Sequence, residues 1–159
     1  MSHAAIFPSY VIGAFEEELV KTRPAASQTI AGVYSRDALR TQVEDYYITK
    51  ALGNLGLIRI REFQWYPEGW GDGKGRASSP SSFKRMIGFL KKFAFPAGQN
   101  LPSVFFTKEG GFELEWESNE GETVQVEFAP DRTEVFHEGK NVDEILAPLD
   151  FERLYRLLS

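Results

Sequence analysis

Between Leu101 and Asp131 the chain alternates apolar and polar positions with a period of two. Gly110 and Gly111 lead into Phe112-Glu113-Leu114-Glu115-Trp116-Glu117. Phe112, Leu114 and Trp116 fall on one side, and Glu113, Glu115 and Glu117 on the other. After Asn119-Glu120-Gly121 the pattern returns, with Val124, Val126 and Phe128 opposed to Thr123, Gln125 and Glu127. Alternation of this kind, bounded by turn-forming residues, predicts an antiparallel hairpin with one apolar and one acidic face. Further strands are predicted over 103–107 and 133–137, with an apolar run over 142–147. The connections are short, so sequential antiparallel pairing follows.

Helical periodicity appears elsewhere. Pro80 follows the capping candidates Ser78 and Ser79, and Phe83, Met86, Ile87, Leu90 and Ala94 then recur at helical spacing. Lys84, Arg85, Lys91 and Lys92 are assigned to the opposite, outer side of this 80–94 helix. Ser35 is placed as the cap of a helix over 36–52, closed by Gly53. Leu39, Val43, Tyr46 and Tyr47 form one stripe of that helix, and Ile48 and Leu52 another. The alternation from Leu55 to Trp65 predicts a strand that buries Ile58 and Ile60. A short helix over 15–23, a loop over 25–29 and a short strand over 30–34 complete the N-terminal third. The last helix starts after Asp150 and presents Phe151, Leu154, Tyr155 and Leu158.

The segment from Tyr66 to Gly75 holds four glycines and a proline and reads as a loop. Its Gly71-Asp72-Gly73-Lys74-Gly75 lacks the Ser or Thr after Gly-Lys that a phosphate-binding loop requires, and it lacks dinucleotide-fingerprint spacing. The glycines are read as a turn that lets Trp70 pack against the following helix. The fold class is α+β: an antiparallel sheet of four or five strands covered on one face by helices. The 159 residues are read as one domain, with 1–65 a variable N-terminal part, 66–136 the loop–helix–sheet core and 137–159 a helical end.

Charge changes the picture more than composition does. The net charge is −5, yet 73–108 contains no acid while Lys74, Arg76, Lys84, Arg85, Lys91, Lys92 and Lys108 are basic. From Glu109 to Glu152 only Arg132 and Lys140 oppose the acids. The absence of cysteine excludes disulfides, thiolate metal sites and cysteine nucleophiles. No basic and apolar leader opens the chain, and no apolar run approaches the ~20 residues of a bilayer span. A cytoplasmic protein without membrane contact is the expectation.

Candidate catalytic chemistry is sparse. Of the two histidines, His3 is terminal and His137 is read as a solvated residue at a strand end. No Gly-x-Ser-x-Gly elbow is present. Same-face carboxylates such as Glu113, Glu115, Glu117 and Glu127 stand ~7 Å apart along a strand, too far for ready joint chelation. No catalytic, cofactor or metal residue is therefore assigned.

The run Tyr66-Pro67-Glu68-Gly69-Trp70-Gly71-Asp72-Gly73, the Ser-Pro-capped helix, Leu101-Pro102-Ser103-Val104, Gly110 to Trp116 and Val126-Glu127-Phe128-Ala129-Pro130-Asp131 together resemble a group of small bacterial and phage-associated proteins. The likeness covers roughly 66–136. The chain departs from that pattern at Gly71, where Asp is usual, and at Arg132, where Gly is usual. Members of the group look like mobile-element accessory proteins in arrangements similar to toxin–antitoxin pairs, which implies a partner-binding role and supplies no catalytic residues. The expected function is non-enzymatic: a small antitoxin-, immunity- or phage-conflict-like protein that holds a protein partner. The candidate contacts are Tyr46, Tyr47, Lys84, Arg85, Lys91 and Lys92. Nucleic-acid binding through the basic helix is the alternative, and an enzyme of unknown reaction is third. Partner identity and oligomeric state are not legible.

Overall fold

A computed structural model describes residues 31–97 and 100–159. The readings over 15–23 and 25–29, and His3, lie outside them. The chain divides into two units, Met1–Thr41 and Gln42–Ser159. In the first, the described residues are the opening turns of a helix, where the Thr41 hydroxyl donates to the Asp37 carbonyl at 2.9 Å. The expected strand over 30–34 is corrected, since the chain is helical from Ala31 and Ser35 lies inside the helix rather than capping it.

The fold is α+β, with three helices and one five-stranded antiparallel sheet among the described residues. Helix α1 spans Ala31–Phe63, α2 Pro80–Lys92 and α3 Phe151–Leu158. Strands β1 Ser103–Phe106, β2 Phe112–Glu117, β3 Thr123–Phe128, β4 Thr133–His137 and β5 Val142–Leu146 pair in sequence order. The hairpin forms with the expected residues on its apolar face: Phe112 faces Phe128, Leu114 faces Val126, and Trp116 faces Val124. All six side chains are buried. Val104 and Val135 extend the Leu114–Val126 row across the sheet.

Helix α2 lies on this apolar face and buries Met86, Ile87, Phe89 and Leu90. The Ser79 hydroxyl accepts from the Ser82 amide at 3.3 Å, and Pro80 occupies the first turn, where its missing N–H costs nothing. Phe89 is the hub of an aromatic cluster. Its ring stacks on Phe93 at 4.7 Å and on Tyr155 of α3 at 5.9 Å, and Trp116 lies 6.3 Å away.

Helix α1 breaks at Gly53 (φ 72°, ψ −179°), a backbone conformation essentially reserved for glycine. Residues 42–52 and 54–63 form two arms that fold back on one another. Arg61 donates its Nε to Asp45 at 3.1 Å and reaches it again through Nη2, although the two residues are sixteen apart in sequence. In a straight helix they would be separated by ~24 Å. Arg61 also donates to Gln64 at 2.7 Å and lies over the Phe83 ring at 5.8 Å.

The expected strand over 55–65 is therefore corrected to helix. Gly56 and Ile60 are buried and Phe63 is half-buried, at spacings of four and three. Phe63 stacks on Phe106 of β1 at 5.4 Å. Ile58, expected inside, is exposed. The alternation of Leu57, Ile58, Arg59, Ile60 and Arg61 mimicked a strand, while tertiary burial of the 56/60/63 face selects the helix.

The 66–79 loop packs against the β1–β2 hairpin. Trp70 stacks on Phe106 at 5.2 Å, and its Nε1 donates to the Arg76 carbonyl at 2.8 Å. The expectation that Trp70 packs on the following helix is corrected: β1 supplies its partner. A Cβ at Gly75 would sit 2.5 Å from the Trp70 indole, so glycine is needed there for close approach.

Gly53 gives the first test. A Cβ there would be strained at this φ and would lie 2.8 Å from Leu101 Cδ1. Gly53→Ala is expected to lower stability by about 1–3 kcal/mol, read as a drop in denaturant midpoint. An unchanged midpoint would mean that the arms do not turn at Gly53.

Candidate functional site

Of the six sequence-nominated contact residues, the structure brings three together. Tyr46 and Tyr47 project from the first arm of α1, their rings edge to face at 5.2 Å. Lys91, in the last turn of α2, places its ammonium 5.4 Å from the centroid of the Tyr47 ring. That is cation–π range, and it fixes both side chains against each other. Tyr46 is 46% exposed and carries the aromatic surface outward. Lys50 lies one turn beyond Tyr46 and is exposed, adding a cation that the sequence reading did not nominate.

Lys84 and Lys92 are exposed on α2, but no contact joins them to the tyrosines. Lys84 precedes Lys91 by two turns on the same helix, so the cations form a track rather than a cluster. Among the described residues none of the three lysines has a carboxylate within ion-pair distance.

Arg85 is a correction. It was assigned to the basic outer face, yet it is 6% exposed. Its Nη1 donates to the Arg132 carbonyl at 3.0 Å, to Thr133 Oγ1 at 3.1 Å and to the Pro148 carbonyl at 3.3 Å, and its Nη2 donates to the Ala129 carbonyl. Burial pushes its pKa down, and Asp131 opposes that shift. The reason is helical phase: Arg85 follows Ser82 by three and precedes Phe89 by four, and both of those are fully buried. His137 is likewise corrected, because it is buried rather than solvated and its Nδ1 has no hydrogen-bond partner.

The sheet's other face is acidic. Glu113 faces Glu127, which faces Glu134, so three carboxylates stand in one row across β2, β3 and β4. Phe105 and Ile145 bracket the row on the edge strands, both exposed. Partial burial, then the neighbouring carboxylates Glu127, Glu115 and Glu134, pushes the Glu113 pKa up. Glu127 is raised in the same way, chiefly by burial, against a hydrogen bond from Thr107. Arg132 answers this field, pairing with Glu109 at 3.0 Å, Asp131 at 2.9 Å and Glu134 at 2.5 Å, which holds it fully charged. No set of three or more His, Asp or Glu side chains among the described residues could hold a metal ion. No helix among them is long and apolar enough to cross a membrane.

No family model, curated protein or solved structure matches the chain. The geometry sets the Tyr46 and Tyr47 rings of α1 beside the Lys91 ammonium of α2.

The acidic row generates a pH test. A carboxyl whose pKa is raised by folding binds more protons in the native state, so stability falls as pH rises from its ordinary value of 4.5 through the raised native value. Glu113→Gln removes that penalty. It is expected to stabilise the protein at pH 7 by less than about 1 kcal/mol, the scale of directly opposed like charges. The gain should vanish below pH 4.5. A destabilising substitution at pH 7 would show that Glu113 makes a favourable contact.

Proposed function

We propose that this chain is a small macromolecule-binding protein, antitoxin-, immunity- or phage-conflict-like, that acts without catalysis by holding a protein partner. The observation that carries the proposal is the convergence of Tyr46, Tyr47 and Lys91. Aromatic residues enrich the centres of protein interfaces, and a tyrosine held by a cation loses little entropy on binding. The flanking cations Lys50, Lys84 and Lys92 speed encounter with an acidic partner, while the aromatic centre slows dissociation. The resemblance of 66–136 to small mobile-element proteins supports the same direction.

A second reading, nucleic-acid binding, draws on the exposed and unpaired Lys84, Lys91 and Lys92. Burial of Arg85 weakens it, since one of four cations on that helix is withdrawn from any phosphate track.

The test is expression of the adjacent gene of the native host, alone and together with this chain. The neighbour is expected to arrest growth alone and to be neutralised by co-expression. Tyr46→Ala with Lys91→Glu should weaken the complex about tenfold or more, the scale of losing interface anchors. The thermal midpoint should be unchanged. A harmless neighbour with no partner co-purifying removes the reading. Retention on DNA with log K falling against log salt at a slope near about −3, as three phosphate contacts give, would establish the second reading instead.

A further inference from the structure

The break at Gly53 leaves a cleft of about 320 Å³ where the two arms of α1 meet the start of β1. Its walls are apolar: Leu52 and Leu55 come from α1, and Leu101, Pro102 and Val104 from the chain entering β1. A cleft of this size, apolar with a few polar groups at its rim, is of the kind that takes a ligand. None of its residues belongs to the Tyr46–Tyr47–Lys91 surface or to the acidic row.

Two further features define the occupant. The first is a free strand edge. β1 is the outermost strand and pairs with β2 alone. Among the described residues no other backbone group bonds to 103–106. Neighbouring residues of a strand point to opposite faces, so a cleft lined by both the exposed Ser103 and the buried Val104 reaches the strand's edge. That edge offers backbone N–H and C=O groups to another extended chain. The second feature is charge. Arg59 is the one charged residue among those lining the cleft. It is exposed, and among the described residues no carboxylate lies within ion-pair distance of it. An unpaired guanidinium beside apolar walls favours a single anionic group, and its planar fork matches a carboxylate.

We propose that this cleft binds the C-terminal end of an extended peptide. The last residues of the peptide add to the free edge of β1 as a sixth strand. An apolar terminal side chain fills the space between Leu52, Leu55 and Leu101, and the terminal carboxylate pairs with Arg59. An internal peptide segment would bring the backbone without the carboxylate, and a fatty acid the carboxylate without the backbone. A chain terminus ending in an apolar residue meets edge, walls and charge together.

The test is fluorescence anisotropy with the full-length chain and the fluorescein-labelled peptide Ser-Thr-Val-Ser-Leu, carrying a free carboxylate. Saturable binding is expected. The same peptide with a C-terminal amide should bind about tenfold or more weakly, through loss of a charge-assisted hydrogen bond. Replacing its terminal leucine by glycine should cost about tenfold or more, the scale of one buried aliphatic side chain. Arg59→Gln should reduce the carboxylate peptide to the affinity of the amide and leave the amide unchanged, a non-additivity that assigns the carboxylate to Arg59. The thermal midpoint of the unliganded variant should not move, because Arg59 is exposed and unpaired. Saturating peptide should slow amide exchange across 103–106, and octanoate should compete at least about tenfold less well than the peptide, since it has no backbone to pair with β1. The proposal is overturned by absence of saturable binding, by equal affinity for carboxylate and amide, or by discrimination that survives in Arg59→Gln. It is overturned as well by unslowed exchange in β1, or by octanoate binding as tightly as the peptide, which would make the cleft a fatty-acid site.

Discussion

One guanidinium ties the helical layer to the turns at the edge of the sheet. Arg85 leaves α2 and donates to the carbonyls of Ala129, Arg132 and Pro148 and to the Thr133 hydroxyl. Those acceptors come from the β3–β4 turn, the start of β4 and the segment leading to α3. The Ala129 carbonyl and the Thr133 hydroxyl are buried, where an unmet hydrogen bond costs about 1–3 kcal/mol, while the Arg132 and Pro148 carbonyls are half-buried. An arginine suits the position because its planar fork reaches several acceptors while its charge is retained. With α2 fixed in this way, Phe89 lies over Trp116 and Phe128 and the meander's apolar face is closed.

The surfaces available for function follow from that closure. Covering one face of the sheet leaves the other with its Glu113–Glu127–Glu134 row, whose charge Arg132 offsets through its pair with Glu134. Drawing Arg85 inward leaves α2 with three exposed lysines, of which Lys91 is shared with Tyr47. The Gly53 break turns the second arm of α1 back along the first, so Ile60 and Phe63 reach the core. It also leaves Leu55, Ile58 and Trp65 outward. Acidic sheet, basic-aromatic helix pair and apolar stripe are thus consequences of one packing solution.

Much of this was legible in the sequence, and the failures have a common cause. The apolar face of the hairpin, the Ser-Pro-capped helix and the interruption of the first helix at Gly53, read there as its end, were legible because period-two alternation, a Ser-Pro cap and a helix-ending glycine are local signals. Arg85 was misplaced because the identity of a residue on the flank of a helix does not say whether acceptors await it on another element. His137 was misread for the same reason, since its burial depends on what packs over the strand. Residues 55–65 failed through a coincidence of β-branched and basic residues at alternating positions. The spacing of Gly56, Ile60 and Phe63 was the competing signal, and it only decides once the sheet beneath is known. The Tyr47–Lys91 contact joins residues from two helices and could be nominated but not assembled from sequence. The exposed stripe was hidden behind the strand assignment.

The most direct measurement of the account is the stability of Arg85→Lys and Arg85→Met, followed by denaturant unfolding. Lysine keeps the charge but cannot reach several acceptors at once, and methionine keeps the stem but donates nothing. Both are expected to lose about 2–3 kcal/mol or more, because buried acceptors are left unpaired. The loss should exceed that of Lys84→Met, whose side chain is exposed. An Arg85 variant that unfolds at the wild-type midpoint would contradict the account and return Arg85 to the outer face of the helix.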